Sequence, residues 1–407
     1  MALYELILVI IALVLLITLT MTKVPLWLSL TLIALMLSLL KVGINDFINI
    51  LIKTLHDKVT INLMILTFTI ALFINIYNRV GYVSRLSNGL IRTIRNPKLI
   101  LALLPALLGL LPVAGGALMS APIVDEIGNK VNLSKHKRLF INVWFRHTIL
   151  LAYPLSTVII TASALSGVDL WMFVLSELPI VLIMILIGYL IALRSVKGSV
   201  DISINEGKSG LTTPLLPIVL AILTALALAP LIDRREELPL ITPSILIGVI
   251  VAIAVTLANS GSPLTHLVSA LKTRNVWELV ITSYAAMLLK YVFTLIDLPH
   301  IIVSTLHTKS LVLMSFIIPL VLGFTLGSFI GSVIISISIV TSIPHFSPYT
   351  VILAYTSAFL GYLVSPLHLC YIYTAQYLKT SIIKGYKYMM PSMIITAILS
   401  YVVLTIP

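Results

Sequence analysis

Residues 101–128 read LALLPALLGLLPVAGGALMSAPIVDEIG, an apolar run as long as a membrane span but broken in its middle by Pro112, Gly115 and Gly116. A second run of the same character, PLVLGFTLGSFIGSVIISISIV at 319–340, carries Gly327, Ser328, Gly331 and Ser332 at its centre. An uninterrupted helix needs about 20 apolar residues to cross a bilayer core. The stretches 99–128 and 310–343 are longer than that and hold helix-breaking residues where a span would be most regular. Each has enough residues for two half-helices and a turn, and reads either as a re-entrant hairpin or as a long, kinked span.

The rest of the chain places these hairpins in a membrane. Of 407 residues, 59% are hydrophobic and 10% charged, and the mean hydropathy is +1.14. A water-soluble fold of this composition would expose large apolar patches. Ten further runs are long enough to span, at 3–22, 24–42, 59–78, 138–165, 171–193, 213–231, 240–259, 276–297, 350–376 and 388–406. The fold class expected is an all-α polytopic membrane protein of the cell membrane, with about ten spans and two re-entrant hairpins. The first run has no basic segment before it and no clear cleavage site, so it is expected to be a retained span. The net charge of +12 is not a nucleic-acid signal, because the 26 basic residues fall in short clusters between apolar runs. That is the pattern of cytoplasmic loops beside an anionic leaflet. Cys370 is the only cysteine, which excludes disulfides within the chain and cysteine-based metal clusters. Neither a metal nor a cofactor is expected.

Loop charge bears on the hairpins. If both broken runs re-enter, 18 Lys and Arg fall in the loops on one side and 6 on the other. If both cross, the same loops divide evenly. Only the re-entrant arrangement gives a positive-inside bias. It puts both chain ends outside and the loops 79–98, 129–137, 194–212 and 377–387 in the cytoplasm.

The two halves repeat in their spacing. Pro105 and Gly109 match Pro319 and Gly323, Ser120–Val124 matches Ser336–Val340, and Tyr153-Pro154-Leu155 matches Ser365-Pro366-Leu367. Residues 1–196 then form one repeat, with scaffold spans in 3–78, a hairpin at 99–128, a broken span at 138–165 and a further span at 171–193. Residues 197–212 are a cytoplasmic linker. Residues 213–407 repeat the pattern, with scaffold spans in 213–297, a hairpin at 310–343, a broken span at 350–376 and a last span at 388–406. Five crossings per half is an odd number, so the second half is inverted, the build of secondary transporters with sites at broken helices.

Candidate site residues follow from the places where backbone cannot remain regular helix in lipid. These are the tips, with Ala114, Gly115, Gly116, Gly327, Ser328, Gly331 and Ser332, and the breaks, with Tyr153, Pro154, Ser156, Ser365 and Pro366. Freed carbonyls at membrane depth line a polar cavity or bind something, and half-helix N-termini present N–H groups to an anion. Arg146 and His147 lie one to two turns before the first break, and His368 closes the second. Arginine stays charged and grips a carboxylate or phosphate with a planar fork. His147, His368 and Asp125 are the candidates for proton coupling. Lys290, with Asp297 two turns on within reach of the same face, is expected to make a structural pair or to snorkel, and the loop Gly261-Ser-Pro-Leu-Thr-His266 only imitates the second break.

Three segments, LPVAGGALMSAPIVD at 111–125, NVWFRH at 142–147 and GYLVSPLHLC at 361–370, resemble the prokaryotic membrane family called domain of unknown function 401. That family is grouped with the ion transporter superfamily of divalent-anion, citrate, gluconate and lactate-type permeases. The resemblance implies scaffold and transport parts in each repeat, an elevator-like movement and a homodimer held by scaffold spans. It places the hairpin tips on Gly115, Gly116, Gly327 and Ser328 and the breaks on Pro154 and Pro366. The serine-asparagine-threonine tips of the sodium-dicarboxylate members are absent, so protons are expected in place of sodium.

The function expected is secondary transport of a small anion, an organic carboxylate or related oxyanion. A lipid-phosphate flippase is the alternative, since an arginine beside an open hairpin also suits a phosphate headgroup. An intramembrane enzyme is disfavoured: HExxH, paired intramembrane aspartates and a GxSxG elbow are all missing. A channel would need a ring or filter-like run, which is also missing.

Overall fold

The computed structural model describes residues 11–12, 14–16, 18–19, 22, 24–41, 43–94, 96–110, 117–196, 210–233, 242–296, 312–341 and 346–405. Among these every regular element is helical. In chain order the helices are α1 (Leu26–Lys41), α2 (Ile44–His56), α3 (Lys58–Arg79), α4 (Tyr82–Thr93), α5 (Pro97–Gly109) and α6 (Ala117–Lys130). Next come α7 (Lys135–Thr148), α8 (Thr157–Ser166), α9 (Leu170–Gly188), α10 (Thr212–Ile232), α11 (Pro243–Ala258) and α12 (Pro263–Leu271). The last are α13 (Arg274–Leu295), α14 (Ile318–Leu326), α15 (Phe329–Val340), α16 (Pro348–Leu363), α17 (Leu369–Tyr377) and α18 (Ile382–Thr405).

Local chemistry sets where they begin. Asp57, Ser134, Ser156, Asp169 and Ser347 each accept a backbone N–H of the first turn that follows, and α5, α11, α12 and α16 open on proline. Both devices spare the first turn an unsatisfied donor.

Five helical segments are long and apolar enough to cross a membrane: Lys58–Arg79, Leu170–Leu193, Thr212–Ile232, Arg274–Leu295 and Ile382–Thr405. The pair Lys135–Ala152 and Thr157–Ser166, bent by 41° at its break, makes a sixth. Leu175, Leu178, Leu182, Leu186 and Leu190 form an exposed stripe along one face of the Leu170–Leu193 segment, while Phe173, Glu177, Ile180 and Met184 are buried on the other. The stripe recurs at three- and four-residue steps, the period of a helix with one face in lipid.

The two interrupted runs differ in what is described. In the second, α14 and α15 pack against each other across Gly327-Ser328, where Gly327 adopts a left-handed φ of 57° that glycine tolerates. In the first, α5 and α6 likewise pack together, and residues 111–116, with Ala114, Gly115 and Gly116, lie outside the described residues. The run 3–22, the linker core 197–209 and Asp297 lie largely or wholly outside them as well.

Three helices stand where the sequence reading has loops: α2, α4 and α12. Each is amphipathic and too polar or too short to register as an apolar run. In α2, for example, Phe47, Ile50 and Thr54 are buried while Ile48 and Ile52 are exposed. Of the expected loop 261–266, the residues from Pro263 onward are instead the first turn of α12.

Close helix crossings depend on glycine. A methyl group on Gly109 would strike the carbonyl oxygen of Arg146, and one on Gly323 the carbonyl oxygen of Ala358. A methyl on Gly361 would strike Leu320 in the same way. Thus α5 lies directly against α7, and α14 against α16. Across the molecule, α6 packs on α17, α15 on α8, and α9 on α18.

Two measurements follow from this layout. With Cys370 replaced by serine, a cysteine at Ser166 is expected to react with an impermeant thiol reagent added outside intact cells. One at the exposed Ser84 is expected to stay protected until the membrane is opened; the reverse pattern contradicts the orientation set by loop charge. Gly323→Ala is expected to cost about 1–3 kcal/mol, the range for overpacking, read as a lower melting temperature in detergent. Gly261→Ala, with nothing within 4 Å of the added methyl, serves as the neutral control.

Candidate functional site

Two broken helices meet at the centre of the site. Helix α7 runs through Arg146 and His147, tightens into a 3-10 turn at Ile149–Ala152, and ends at extended backbone on Tyr153. The chain restarts at Ser156, whose hydroxyl accepts the N–H of Val158 at 3.3 Å. Helix α16 ends at Leu363, and α17 begins after His368. Proline at each break removes a donor and clashes with the preceding turn, which frees carbonyls. Tyrosines from neighbouring helices cover two of them: the Tyr355 hydroxyl donates to Leu151 O at 3.0 Å, and the Tyr386 hydroxyl to Val364 O at 3.1 Å.

The second break is tied to the second hairpin. The Ser365 hydroxyl donates to Phe324 O at 2.6 Å and accepts the N–H of Leu367 at 3.1 Å. A side chain on Gly327 would collide with Leu367. Ser328 accepts the N–H of Gly331 at 3.3 Å, and the Ser332 hydroxyl lies 2.9 Å from Ser328 O, so the tip is braced from within. Phe329, next along, stacks on Tyr362 with ring centroids 5.7 Å apart.

Tyr362 leads to the two histidines. The rings of His147 and His368 lie 4.6 Å apart, and Tyr362 is 4.2 Å from His368. His147 Nδ1 is 2.7 Å from Val143 O, and His368 Nδ1 is 3.2 Å from Leu363 O. A nitrogen facing a carbonyl carries the hydrogen, which assigns both neutral rings as Nδ1–H tautomers with the Nε2 lone pair turned inward. His147 Nε2 faces the Tyr362 hydroxyl at 3.4 Å. His368 Nε2 is buried with no hydrogen-bond partner among the described residues. Cys370 Sγ and one ring nitrogen from each histidine lie within 4.8 Å of one another. Two imidazoles anchored through Nδ1 and a thiol are also a donor set that suits a borderline or soft divalent ion.

Arg146, at 4% exposure, is buried on the same helix as His147, and its backbone is pressed by Gly109 at the end of α5. Asn142, one turn earlier, donates to Ala117 O at 3.1 Å and to Thr374 Oγ1 at 2.9 Å. It ties α7 to the start of α6 and to α17.

Asp125 sits elsewhere. Its carboxylate takes Arg138 Nη1 at 2.5 Å, while Arg138 Nε donates to Leu133 O at 2.7 Å. That pair braces the turn between α6 and α7. Glu126 is exposed and pairs with Lys130 at 2.9 Å. Lys290 has Asp57 as its charged neighbour.

The structure thus brings Arg146, His147, Ser365 and His368 to the two breaks and sets Gly327 against the second of them. Sequence reasoning missed Tyr362, Cys370 and Asn142, although all three lie inside the segments quoted above. The available signal was a polar side chain within a turn or two of a helix break. It also passed over Glu177, a lone acid in the apolar run of α9, where such a residue is costly.

The family model described as protein of unknown function (DUF401) matches residues 2–406, and the chain belongs to that family. Among solved structures, the chain is similar to the YdaH transporter of Alcanivorax borkumensis, whose report describes an unusual topology. The TM-score is 0.61 at 13% identity, over 93% of this chain and 95% of that one, a likeness of fold. No curated protein matches by sequence. The chain is thus a multi-pass helical membrane protein with a transporter-like fold.

The geometry of the donor set can be tested directly. Zinc is expected to slow alkylation of Cys370 in the purified protein, and His368→Gln is expected to abolish that protection. Equal protection in both proteins would mean that the thiol and the imidazoles do not converge.

Proposed function

We propose that this DUF401 protein is a secondary active transporter of a small anion, an organic carboxylate or related oxyanion, that works by elevator-type alternating access coupled to protons. The observation that carries the reading is the burial of Arg146, His147 and His368 where two broken helices meet. A charge at membrane depth is retained for function by default, and arginine there selects an anion. The N-terminus of α15 at the second hairpin tip adds backbone amides that favour an anion. His147 and His368 offer Nε2 lone pairs in the same place, where a proton can be taken up.

The inverted repeat that such a mechanism uses finds support in packing. Arg146 stands eight residues before Pro154, and Ala358 eight before Pro366. The carbonyl oxygens of these two matched residues are the ones backed by Gly109 and Gly323, which the spacing had already matched. The second arm of each hairpin also packs on the far part of the opposite broken span, α6 on α17 and α15 on α8. A homodimer through the scaffold spans completes the reading.

Thermal-shift screening of the purified protein against carboxylates, oxyanions and polyprenyl phosphates identifies the ligand, with stabilisation by the last class favouring a flippase. Arg146→Gln is then expected to weaken that ligand by about 1.5–3 kcal/mol, the worth of a charge-assisted hydrogen bond. Lysine is expected to restore only part of it, lacking the planar fork. Unchanged affinity in a folded Gln variant, measured by calorimetry, removes the anion role. An imposed pH gradient is expected to drive uptake into sodium-free proteoliposomes; strict dependence on sodium removes the proton half.

A further inference from the structure

We propose that Glu177 is a proton-binding site, held as the neutral acid by Thr356, and that its proton keeps α9 and α16 together. It rests on the proton-coupled reading above for its use in transport, but its chemistry stands separately.

Glu177 lies within α9 at 0% exposure, on the face opposite the lipid-facing leucine stripe. Its Oε1 is 2.5 Å from Thr356 Oγ1, and its Oε2 is buried with no hydrogen-bond partner among the described residues. Thr356 Oγ1 is also 2.9 Å from Ile352 O. A hydroxyl has one hydrogen to give. If Glu177 were ionised, its Oε1 and the Ile352 carbonyl would compete for that single hydrogen, and the buried charge would have no other support. If Oε1 carries a proton, that proton goes to Thr356 Oγ1 and the threonine hydrogen goes to Ile352 O. Every hydrogen then has one acceptor, and the orphan Oε2 is a neutral carbonyl oxygen, far cheaper to bury than a carboxylate.

Among the described residues no other group acts on Glu177 to offset a charge. The helices packed against α9 are α7 with its 3-10 extension, α8, α16 and α18. The titratable group facing Glu177 is Tyr355 on α16, whose hydroxyl is already committed to Leu151 O at 3.0 Å. Among the described residues, no lysine, arginine or histidine from α7, α8, α16 or α18 forms an ion pair with it.

The position matters for coupling. Thr356 lies on the helix that ends at Leu363, just ahead of Ser365-Pro366, and Leu151 lies just ahead of Tyr153-Pro154. Adjacent bonds from Thr356 and Tyr355 therefore join α9, the first break and the second. Loss of the proton leaves a carboxylate with one contested donor. It is relieved when α9 and α16 part and water reaches the group.

Infrared spectroscopy of the protein in lipid films, with carboxyl bands followed at neutral pH, tests the protonation. A protonated-carboxyl band is expected in the unaltered protein, to vanish in the isosteric Glu177→Gln, and to move to higher frequency in Thr356→Val. A spectrum unchanged by Glu177→Gln overturns the proposal. Hydrogen–deuterium exchange tests the consequence. As pH rises, peptides covering α9 and α16 are expected to exchange faster than the intrinsic base-catalysed increase, and Glu177→Gln is expected to remove that excess. A band that vanishes while the two proteins exchange alike at every pH overturns the link between the proton and the helix contact. Neither readout uses a transported anion, so failure of the anion screen and failure here are separate results.

Discussion

Two prolines break the helical ladder inside the apolar part of the molecule, and the polar groups they free must find partners without water. Much of the interior polarity answers that demand. Tyr355 covers Leu151 O before the first break, and Tyr386 covers Val364 O before the second. Ser156 restarts one helix, and Ser365 serves a carbonyl and an amide at once. In lipid each such group left alone would cost several kcal/mol. The histidines, arginine and thiol stand where this polar lining is already assembled, so the candidate site sits within an environment that the backbone requires for its own sake.

Polarity at depth also has to be enclosed, and the enclosure is made by close backbone contact. Gly109 and Gly323 let α5 and α14 lie directly on the carbonyls of α7 and α16. Small residues are the usual route to tight packing where lipid offers no hydrophobic drive between helices. Here they also bring the arms of the two hairpins against the two broken spans, so that fold and site share one set of contacts.

Much of this was legible in the sequence because it depends on run length and on proline and glycine. The apolar segments, both breaks and the second hairpin turn on Gly327-Ser328 are visible one residue at a time. What stayed hidden depends on partners far apart in the chain. His147 meets His368 and Tyr362 through tertiary packing, which leaves no periodic trace. Asp125 finds Arg138 across a turn, beyond the three- and four-residue spacing by which helix pairs are recognised. Glu177 was in plain view as an acid among leucines, but its meaning comes from Thr356 on another helix. Helix α2 escaped because its apolar face is too narrow to read as a span.

The Ser365 hydroxyl bridges the last turn of α14 and the amide of Leu367, while Gly327 leaves no gap between hairpin tip and break. Hairpin and break are therefore one mechanical part. A movement that slid the tip away from the break would strip a carbonyl and an amide of their shared partner in a dry setting. The hinge of any large motion must then fall outside this block, at joints whose hydrogen bonds lie on either side of the cut rather than across it.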